Sequence, residues 1–355
     1  MRARYALIAL LSAMALASCA KVPKTPEPVV AQIEPRTSGN DAVIVFGGDT
    51  MLDDLGLPFL MKYGYSYPFA ETSRIFRDAD IVMVNLEAPA VRKCRRVVKR
   101  YSYYAWPESL VAMKDAGINV LDLANNHALD CRSEGLKGNI KNIESAGLFH
   151  VGAGKGEQAY RGLVLELKGM RIGFLAYWRQ KREREGWKAA RPSKNRLVSD
   201  IKRMKRHYCD VLFVVFHWGK NYHFGIYASQ KRLAQIAIDA GADAVVGHHP
   251  HIPQPVGFYR GRPIVYSVGN LAFGTGNNRA KNGLLARFRV SKKGIERVEL
   301  IPLLVQNRNP KVLWQTRVLS DARGKGFIDR LSSASRKHGA RISWEGGFGV
   351  MTQSR

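Results

Sequence analysis

Acidic residues, cysteines and long apolar runs are all scarce in this chain. Its 355 residues include 29 Asp and Glu against 56 Lys and Arg, which gives a formal net charge of +27. This surplus favours an anionic partner, such as nucleic acid, anionic lipid, a phosphate ester or an acidic polymer. Beyond the N-terminal region no apolar run is long enough to cross a bilayer, so further membrane spans are excluded. With 46% hydrophobic residues, the chain can bury a large core in one large domain or two.

The most pronounced apolar run lies at the N-terminus. Arg2 and Arg4 precede apolar residues 5–16, a run that is too short to span a bilayer stably and is typical of a secretory signal. Leu16-Ala17-Ser18-Cys19 resembles a bacterial lipobox, in which the cysteine becomes the lipidated first residue of the mature protein. An ordinary signal peptide, cleaved after a small residue, is the alternative. We interpret residues 1–18 as the signal peptide and predict a membrane-anchored lipoprotein on the periplasmic side of the bacterial cell envelope.

Export argues against nucleic acid as the partner and makes disulfides chemically possible. Without residues 1–18, 54 basic and 29 acidic residues remain, so a charge of +25 belongs to the mature chain. Cys209 precedes an apolar run and is interpreted as a buried thiol. Cys94 and Cys131 lie in polar loops, and we predict a disulfide between them. Residues 19–40 are rich in proline and are predicted to be a flexible, lipid-anchored linker.

From residue 41 onward the chain repeats an apolar strand-length run, a polar cluster and a helix-length amphipathic stretch, which is typical of parallel-sheet α/β proteins. There are six such runs, and each is followed by one or more polar residues. Asp49 follows the run 42–46, Glu87 follows 81–84, and Asn125, Asn126, His127 and Asp130 follow 120–124. His217 follows 211–216, the histidines His248, His249 and His251 follow 244–247, and Asn270 follows 264–267. Helices are predicted over residues 109–116, 133–146, 196–208 and 229–240, with Gly117 and Gly241 as two of the C-terminal caps. Open α/β sheets bind ligands beyond the carboxyl ends of their strands, so we expect these polar clusters to meet at one edge.

Three histidines in four positions, His248, His249 and His251, give the strongest indication of a metal site. Taken singly, Asp49 and Glu87 are equally well explained as loop carboxylates, and His217 as a hydrogen-bonded core histidine. Their shared position at successive strand ends favours one joint site. Carboxylates, an amide oxygen and imidazoles suit manganese, iron or zinc, and two such ions side by side form a dinuclear hydrolase pattern.

Six motifs, in order, resemble those of the CapA, or PGA_cap, family, which is associated with bacterial capsule and poly-γ-glutamate production and belongs to the calcineurin-like metallophosphoesterase superfamily. They are Gly48-Asp49-Thr50-Met51-Leu52, Asn85-Leu86-Glu87-Ala88-Pro89, residues 123–130, His217-Trp218-Gly219, residues 247–251 and Tyr266-Ser267-Val268-Gly269-Asn270. The likeness covers residues 41–288. It implies an α/β fold, a layered α-β-β-α sandwich of the metallophosphatase type with mostly parallel central sheets, in a domain over residues 41–310.

The resemblance also implies roles for matching residues. It implies two groups of metal ligands for one or two divalent ions. Asn126, His217 and His249 form the group at one position, and Asp49, Glu87 and His251 form the group at the other. His127 would be the general acid for the leaving group, with Asp130 as its orienting partner. His248 falls at a variable position of the family pattern.

Two positions depart from the pattern. The superfamily has a second metal ligand, a histidine, two residues after the first aspartate, but Met51 stands there in this chain, as is usual in the CapA branch. The Asp49 position therefore has fewer ligands. Family members usually carry glutamate two residues after the His-Trp-Gly motif, whereas this chain has Asn221. The loss of that carboxylate bears on the choice of substrate.

Basic residues extend from the predicted site in two clusters. The members are Arg92, Lys93, Arg95, Arg96, Lys99 and Arg100 in the first cluster and Lys181, Arg182, Arg184, Lys188 and Arg191 in the second. A solvated surface is the alternative interpretation for most of them. Tyrosines and tryptophans are interleaved, and an anionic substrate such as polyglutamate, a phosphorylated glycan or a lipid-linked phosphate would be attracted there. The residues predicted to contact it are Arg95, Arg96, Asn221, His248 and Asn270.

The leading interpretation is an exported, lipid-anchored protein of capsule or poly-γ-glutamate synthesis or handling, with other capsule or envelope proteins as partners. Hydrolysis or transfer at a phosphoryl or amide bond is the expected chemistry. A non-catalytic binder of an anionic polymer and a general periplasmic metallophosphoesterase are the alternatives. Strands over 284–290 and 295–304 are predicted to join a second sheet. The remaining residues, 311–355, are expected to be a C-terminal extension with a short helix over 327–335 and a poorly ordered end.

Overall fold

Two β-sheets pack face to face, and helices cover the outer face of each. The computed structural model describes residues 26–179 and 186–354. The predicted signal peptide and Cys19 lie outside the described residues, as do Lys181, Arg182 and Arg184. No helix in the described part of the chain combines the length and the apolarity needed to cross a membrane.

The strands within these residues are β1 (Val29–Gln32), β2 (Ala42–Met51), β3 (Ile81–Leu86), β4 (Val120–Asp122), β5 (Phe149–Val151), β6 (Ala153–Lys155), β7 (Leu163–Leu167), β8 (Met170–Trp178), β9 (Trp187–Ala189), β10 (Val211–His217), β11 (Ala244–His248), β12 (Val256–Tyr259), β13 (Arg262–Val265), β14 (Asn270–Phe273), β15 (Asn282–Ser291), β16 (Gly294–Leu304), β17 (Arg317–Val318), β18 (Ala340–Glu345) and β19 (Phe348–Gln353). The helices are α1 (Leu57–Tyr63), α2 (Ser73–Arg77), α3 (Glu108–Ala116), α4 (Arg132–Ser145), α5 (Lys194–His207), α6 (Ala228–Ala240) and α7 (Ala322–Ser335).

The strand order of the first sheet is β1-β7-β8-β10-β11-β13-β12. The second sheet runs β18-β19-β16-β15-β2-β3-β4-β5, with β14 beside β2 and β17 beside β16. Every neighbouring pair that carries the candidate site is parallel: β2 with β3, β2 with β14, and β10 with β11. The half of the second sheet from β15 to β18 is antiparallel. The predicted α/β fold with mostly parallel sheets is confirmed.

Aromatic side chains fill the space between the two sheets. The ring of Phe46 on β2 lies 5.1 Å from that of Phe213 on β10, and Phe213 lies 5.1 Å from Phe288 on β15. Each such fully buried ring contributes roughly 1.5–3 kcal/mol relative to an exposed one. Helices α5 and α6 pack on the outer face of the first sheet, and α3 and α4 on that of the second. The layers therefore follow the order α-β-β-α.

The predicted helices form within one or two residues of their expected limits. Gly117 and Gly241 end α3 and α6 with φ angles of 107° and 119°, a left-handed conformation that glycine adopts without steric cost. Because the chain reverses direction after each of these helices, the strand that follows runs parallel to the strand before the helix. Their carboxyl ends meet at one edge of the two sheets.

The predicted linker over 19–40 is partly wrong. Val29–Gln32 is an edge strand that pairs in parallel with β7, so this part of the segment belongs to the fold. The connection from β1 to β2 is held by the buried Asp80 carboxylate. It accepts hydrogen bonds from the backbone N–H groups of Arg36, Thr37 and Val43 at 2.8–2.9 Å.

The end of the predicted C-terminal extension over 311–355 is ordered in its described residues, contrary to the expectation of a poorly ordered end. The strand β19 pairs with β16, and β18 pairs with β19, so this segment completes the second sheet. Helix α7 is longer than the predicted segment 327–335 and packs against β18. The two strands predicted over 284–290 and 295–304 form as β15 and β16.

Candidate metal centre

The first carboxylate of the site stands where β2 and β14 approach each other closely. A Cβ atom at Gly48 would lie 2.1 Å from the carbonyl oxygen of Gly269, so only glycine fits there. The next residue, Asp49, donates its backbone N–H to that carbonyl at 2.9 Å. This contact brings Asn270, at the start of β14, beside Asp49 on the neighbouring strand.

A second carboxylate, Glu87, follows β3 directly and is buried with Asp49. The side-chain amide of Asn85 lies between them, with its nitrogen 2.7 Å from Asp49 Oδ1 and 2.8 Å from Glu87 Oε1. Burial, and then the charge of Asp49, raise the pKa of Glu87 well above its usual value. Burial alone would also raise the pKa of Asp49, but the close imidazoles of His248 and His251 outweigh it and hold that pKa well below its usual value.

Three donor atoms converge at the ends of β10 and β11. His217 Nε2 lies 2.6 Å from Asn126 Oδ1 and 3.0 Å from His249 Nδ1. Burial, and then neighbouring histidines, lower the pKa of His217 well below its usual value, and burial lowers that of His249 to about 3. Both imidazoles are therefore neutral near pH 7, which is the form that binds metals.

A second group of donors forms around His251. Atoms of Asp49, Glu87 and His251 all lie within 4.8 Å of one another and could hold a metal ion. His251 Nδ1 is 3.1 Å from Asp49 Oδ2 and 3.0 Å from Asn270 Oδ1. The turn after β11 brings in both histidines with left-handed φ angles, 94° at His249 and 59° at His251. Such a conformation costs roughly 1–2 kcal/mol per residue and commonly marks a functional site.

The two donor groups are joined through Glu87. Its Oε1 lies 3.8 Å from His217 Nδ1, and its buried Oε2 has no hydrogen-bond partner among the described residues. A buried carboxylate oxygen without a partner is costly, and a cation would satisfy it. Two carboxylates, an amide oxygen and imidazoles are the ligand types that divalent manganese, iron or zinc accept. The residues present therefore fit a divalent metal.

The side chain of Met51 is fully buried and apolar. Met51 therefore adds no imidazole ligand to the donors around Asp49.

The predicted proton-transfer pair lies against Glu87. His127 Nδ1 is 2.8 Å from Asp130 Oδ2, and His127 Nε2 is 3.8 Å from Glu87 Oε2. Burial lowers the pKa of His127, although Asp130 opposes this shift. With its Nδ1–H donated to Asp130, the neutral imidazole turns Nε2 toward the carboxylates. Asp130 also accepts the backbone N–H of Tyr103 at 2.7 Å, which fixes the pair in place.

A disulfide joins Cys94 and Cys131, with their Cα atoms 4.9 Å apart. Cys131 directly follows Asp130 in sequence, so the bond ties the basic loop to the turn that bears His127. Lys99 in that loop makes an ion pair with Asp130 and donates a hydrogen bond to the carbonyl oxygen of Asn126 at 2.9 Å. Cys209 is the buried free thiol, as its apolar neighbourhood predicts.

The residues predicted to contact substrate separate into two sets. Arg95 and Asn221 are exposed, and Arg96 is exposed while bonded to Asp53 at 3.1 Å. His248 is fully buried, with its Nδ1 3.4 Å from Asp49 Oδ1, and Asn270 is buried against His251. Both side chains contact residues of the candidate metal site, and their contact with substrate stays a prediction.

A groove with a volume of about 480 Å³ opens beside the proton-transfer pair. Its lining residues include Asp53, Arg96, Lys99, Arg100, Tyr101 and Tyr103. The first basic cluster therefore borders the site. In the second cluster Lys188 is buried, with its ammonium 5.1 Å from the Tyr160 ring, so it is not part of a basic surface.

Several polar residues at the site have no specific role assigned to them from the sequence. Asn85 carries a signal, since it stands at a strand end two residues before Glu87. Asn125 donates to Asn85 Oδ1 at 2.9 Å and thereby orients its amide. Asp122 is a third buried carboxylate, and burial raises its pKa to about 6. Lys99 is one of many basic residues in its loop, and nothing in the sequence distinguishes it.

Comparison with known proteins shows which family this chain is similar to. Residues 43–275 match the model of the bacterial capsule synthesis protein PGA_cap. The capsule biosynthesis protein CapA of Bacillus anthracis is 31% identical over 277 residues, covering 74% of this chain and 67% of that protein. The PGA biosynthesis protein CapA of Bacillus subtilis is 30% identical over 280 residues, covering 75% and 72%.

Among solved structures, similar ones include the sulfate thiohydrolase SoxB of Thermus thermophilus and a 5'-nucleotidase of Candida albicans. The first is 11% identical with a TM-score of 0.40, covering 89% of this chain and 62% of that one. The second is 12% identical with a TM-score of 0.43, covering 88% and 59%. The matched segment 43–275 contains every residue of both donor groups. The chain thus belongs to the PGA_cap family of bacterial capsule synthesis proteins.

Proposed function

We propose that this protein is an exported, lipid-anchored enzyme of capsule or poly-γ-glutamate synthesis or handling. It uses one or two divalent ions to hydrolyse or transfer a phosphoryl or amide bond of an anionic substrate. The observation that carries this proposal is the meeting of two donor groups at Glu87, whose Oε1 lies 3.8 Å from His217 Nδ1 and whose unpartnered Oε2 lies 3.8 Å from His127 Nε2.

The side chains divide the work of the site. Asp49, Glu87 and His251 would hold one ion, and Asn126, His217 and His249 the other, where the metal supplies a Lewis acid for a phosphoryl or carbonyl oxygen. Asn85 keeps the two carboxylates at fixed separation. Asp130 orients His127, so that Nε2 can exchange a proton with a bound group.

Charge supports an anionic substrate. The mature chain carries +25, and three cationic residues, Arg96, Lys99 and Arg100, line the groove beside His127. Such a field raises the local concentration of polyanions and speeds their capture. The family's description as capsule synthesis proteins and the name of the Bacillus subtilis relative, a PGA biosynthesis protein, support poly-γ-glutamate as the polymer.

The proposed location rests on the sequence. A lipidated Cys19 would tether the domain in the cell envelope on the periplasmic side, where other capsule or envelope proteins are available as partners. Nucleic acid is not expected there.

A non-catalytic polymer binder is the second candidate. Met51 favours it, because a histidine is missing from the donors around Asp49 and the ion held there has fewer ligands. A general periplasmic metallophosphoesterase is the remaining alternative.

Replacing His127 with alanine separates the enzyme from the binder. If the protein is an enzyme, His127→Ala loses turnover of poly-γ-glutamate or of bis(p-nitrophenyl) phosphate by about 100-fold or more and retains its metal, since general acid–base catalysis contributes on that scale. A matched control is His223→Ala, which removes an exposed histidine near the site. Wild-type protein that binds the polymer, turns over neither probe, and is unaffected by His127→Ala would establish the binder instead.

A further inference from the structure

An exposed apolar surface lies near the metal centre, on α1, the turn that precedes it and the loop after β16. Four side chains form it, and we call them the α1 patch: Leu55, Met61, Tyr63 and Leu313. Their exposed fractions are 50%, 69%, 49% and 45%. Single exposed apolar residues are ordinary, but a cluster of this kind commonly marks an interaction site.

Contacts hold the loop after β16 against α1. The ring of Phe59 on α1 lies 5.4 Å from Trp314, and Tyr63 stacks on Tyr67 at 4.8 Å. The Tyr67 hydroxyl donates a hydrogen bond to the carbonyl oxygen of Leu313 at 3.0 Å. Leu313 is therefore fixed next to α1 although it lies far away in sequence.

The backbone holds Leu313 outward at a cost. Leu313 and Trp314 both have left-handed φ angles, 43° and 69°. This conformation is unfavourable for residues with a Cβ atom, by roughly 1–2 kcal/mol each. Trp314 turns inward to line a small cavity with Leu60 and Phe273, while Leu313 remains exposed. Strain that keeps an apolar side chain in solvent favours a role in binding.

Cationic residues accompany the patch. Lys62 lies within it, with its ammonium 4.9 Å from the Tyr63 ring, and Lys311 and Arg308 are exposed on the adjoining loop. Within residues 26–179 and 186–354, no carboxylate forms an ion pair with Lys62 or Lys311. An occupant of this surface must therefore combine apolar contact with negative charge.

We propose that the α1 patch docks on an anionic lipid surface. The aliphatic side chains insert at the level of the headgroups, Tyr63 and Tyr67 lie at the interface, and the lysines contact lipid phosphates. Amphipathic aromatic rings and flanking cations together are typical of membrane interfaces. This docking goes beyond the proposed function and does not require the metal.

Docking would also orient the site. Phe273 borders the cavity that Trp314 lines, and its ring lies 4.6 Å from that of His251. Contacts through Trp314 and Phe273 thus link the patch to the metal centre. Docking through the patch would therefore hold the metal centre near the bilayer.

Vesicle co-sedimentation tests the proposal. The chain from residue 19 onward carries Cys19→Ser throughout, so that neither the apolar run over residues 5–16 nor lipidation contributes. Vesicles are pure phosphatidylcholine or a mixture with phosphatidylglycerol. Met61→Ser/Leu313→Ser removes the patch, and Val111→Ser is the matched control, since Val111 is an exposed residue on α3 with an exposed fraction of 52%. Circular dichroism checks that each variant is folded.

We expect the partition coefficient on phosphatidylglycerol vesicles to fall about tenfold or more in Met61→Ser/Leu313→Ser and to stay unchanged in Val111→Ser. Lys62→Gln/Lys311→Gln should weaken binding and its dependence on salt. Equal binding by the parent chain and Met61→Ser/Leu313→Ser, or no binding by the parent, overturns the proposal. So does a dimer in sedimentation that Met61→Ser/Leu313→Ser dissociates without any vesicle binding, because the patch would then join two copies of the chain.

Discussion

At the scale of single residues, Asp130 is the point at which the basic loop meets the site. Its backbone carbonyl accepts the N–H of Val97 at 2.8 Å, and its carboxylate accepts hydrogen bonds from His127 and Tyr103 and pairs with Lys99. The disulfide one residue later closes the same contact covalently. Asn126 and His127 therefore owe their positions to a loop that is distant in sequence.

Counting thiols tests this covalent link. The chain with Cys19→Ser, unfolded without reductant, should show one free thiol, Cys209, and three after reduction. In the folded protein Cys209 should not react with iodoacetamide, because burial raises the pKa of its thiol to about 12 and the reactive thiolate is scarce. Cys209→Ala is the control, and it should show no free thiol before reduction. Three thiols without reductant would rule out the disulfide.

At the scale of secondary-structure elements, Asp80 attaches β1 and its connecting loop to the second sheet. Its carboxylate accepts three backbone N–H groups and the Thr37 hydroxyl, and pairs with Lys168 at 3.2 Å. Burial would raise the pKa of Asp80, but the hydrogen bonds from Val43 and Thr37 outweigh it and the pKa is lowered. The edge strand thus depends on an ionised carboxylate.

The dependence on pH follows from the sign of that shift. A lowered pKa means that Asp80 stabilises the fold above about pH 4, its range in the unfolded chain, and that this contribution is lost as the pH falls through the lower folded value. Asp80→Asn should reduce the free energy of unfolding at pH 7 by about 2–4 kcal/mol, because buried N–H donors lose a charged acceptor. As the pH falls toward the acidic range, the free energy of unfolding of Asp80→Asn should decrease less steeply than that of the parent.

Chemical denaturation between pH 3 and pH 7 measures both effects. Asp239→Asn is the control, since Asp239 forms an exposed pair with Arg260, and it should change stability by no more than about 0.5 kcal/mol. An Asp80→Asn variant as stable as the parent at pH 7 would contradict the anchoring role.

At the scale of the whole molecule, the sequence predicts what repeats locally. Apolar runs of strand length followed by polar residues locate β2, β3, β4, β10, β11 and β13, because parallel strands buried on both faces must be apolar throughout. The donor residues follow, since those strands end at one edge. The distribution of the six predicted metal ligands over two groups came from the family resemblance.

The remaining structure depends on pairings between distant segments. Nothing local to Val29–Gln32 shows that β7 leaves a free edge for it. The hairpin of β18 and β19 did carry a signal, because Gly346 and Gly347 separate two strand-like segments and adopt the positive φ angles, 55° and 95°, that a two-residue turn needs. The role of Lys99 could not be predicted, since it depends on the path that the disulfide imposes on its loop.

The metal content of the purified protein tests the central claim most directly. Elemental analysis of the parent chain should find about one or two equivalents of manganese, iron or zinc. After chelation, re-adding manganese or zinc at about 100 times its dissociation constant should stabilise the fold by about 2.7 kcal/mol. Asp49→Ala and His251→Ala should each lower the metal content and the gain in stability, because one of the two donor groups loses a ligand, whereas His207→Ala, which removes an exposed histidine on α5, should leave both unchanged. A parent protein with no transition metal and no gain in stability on adding one would contradict the account.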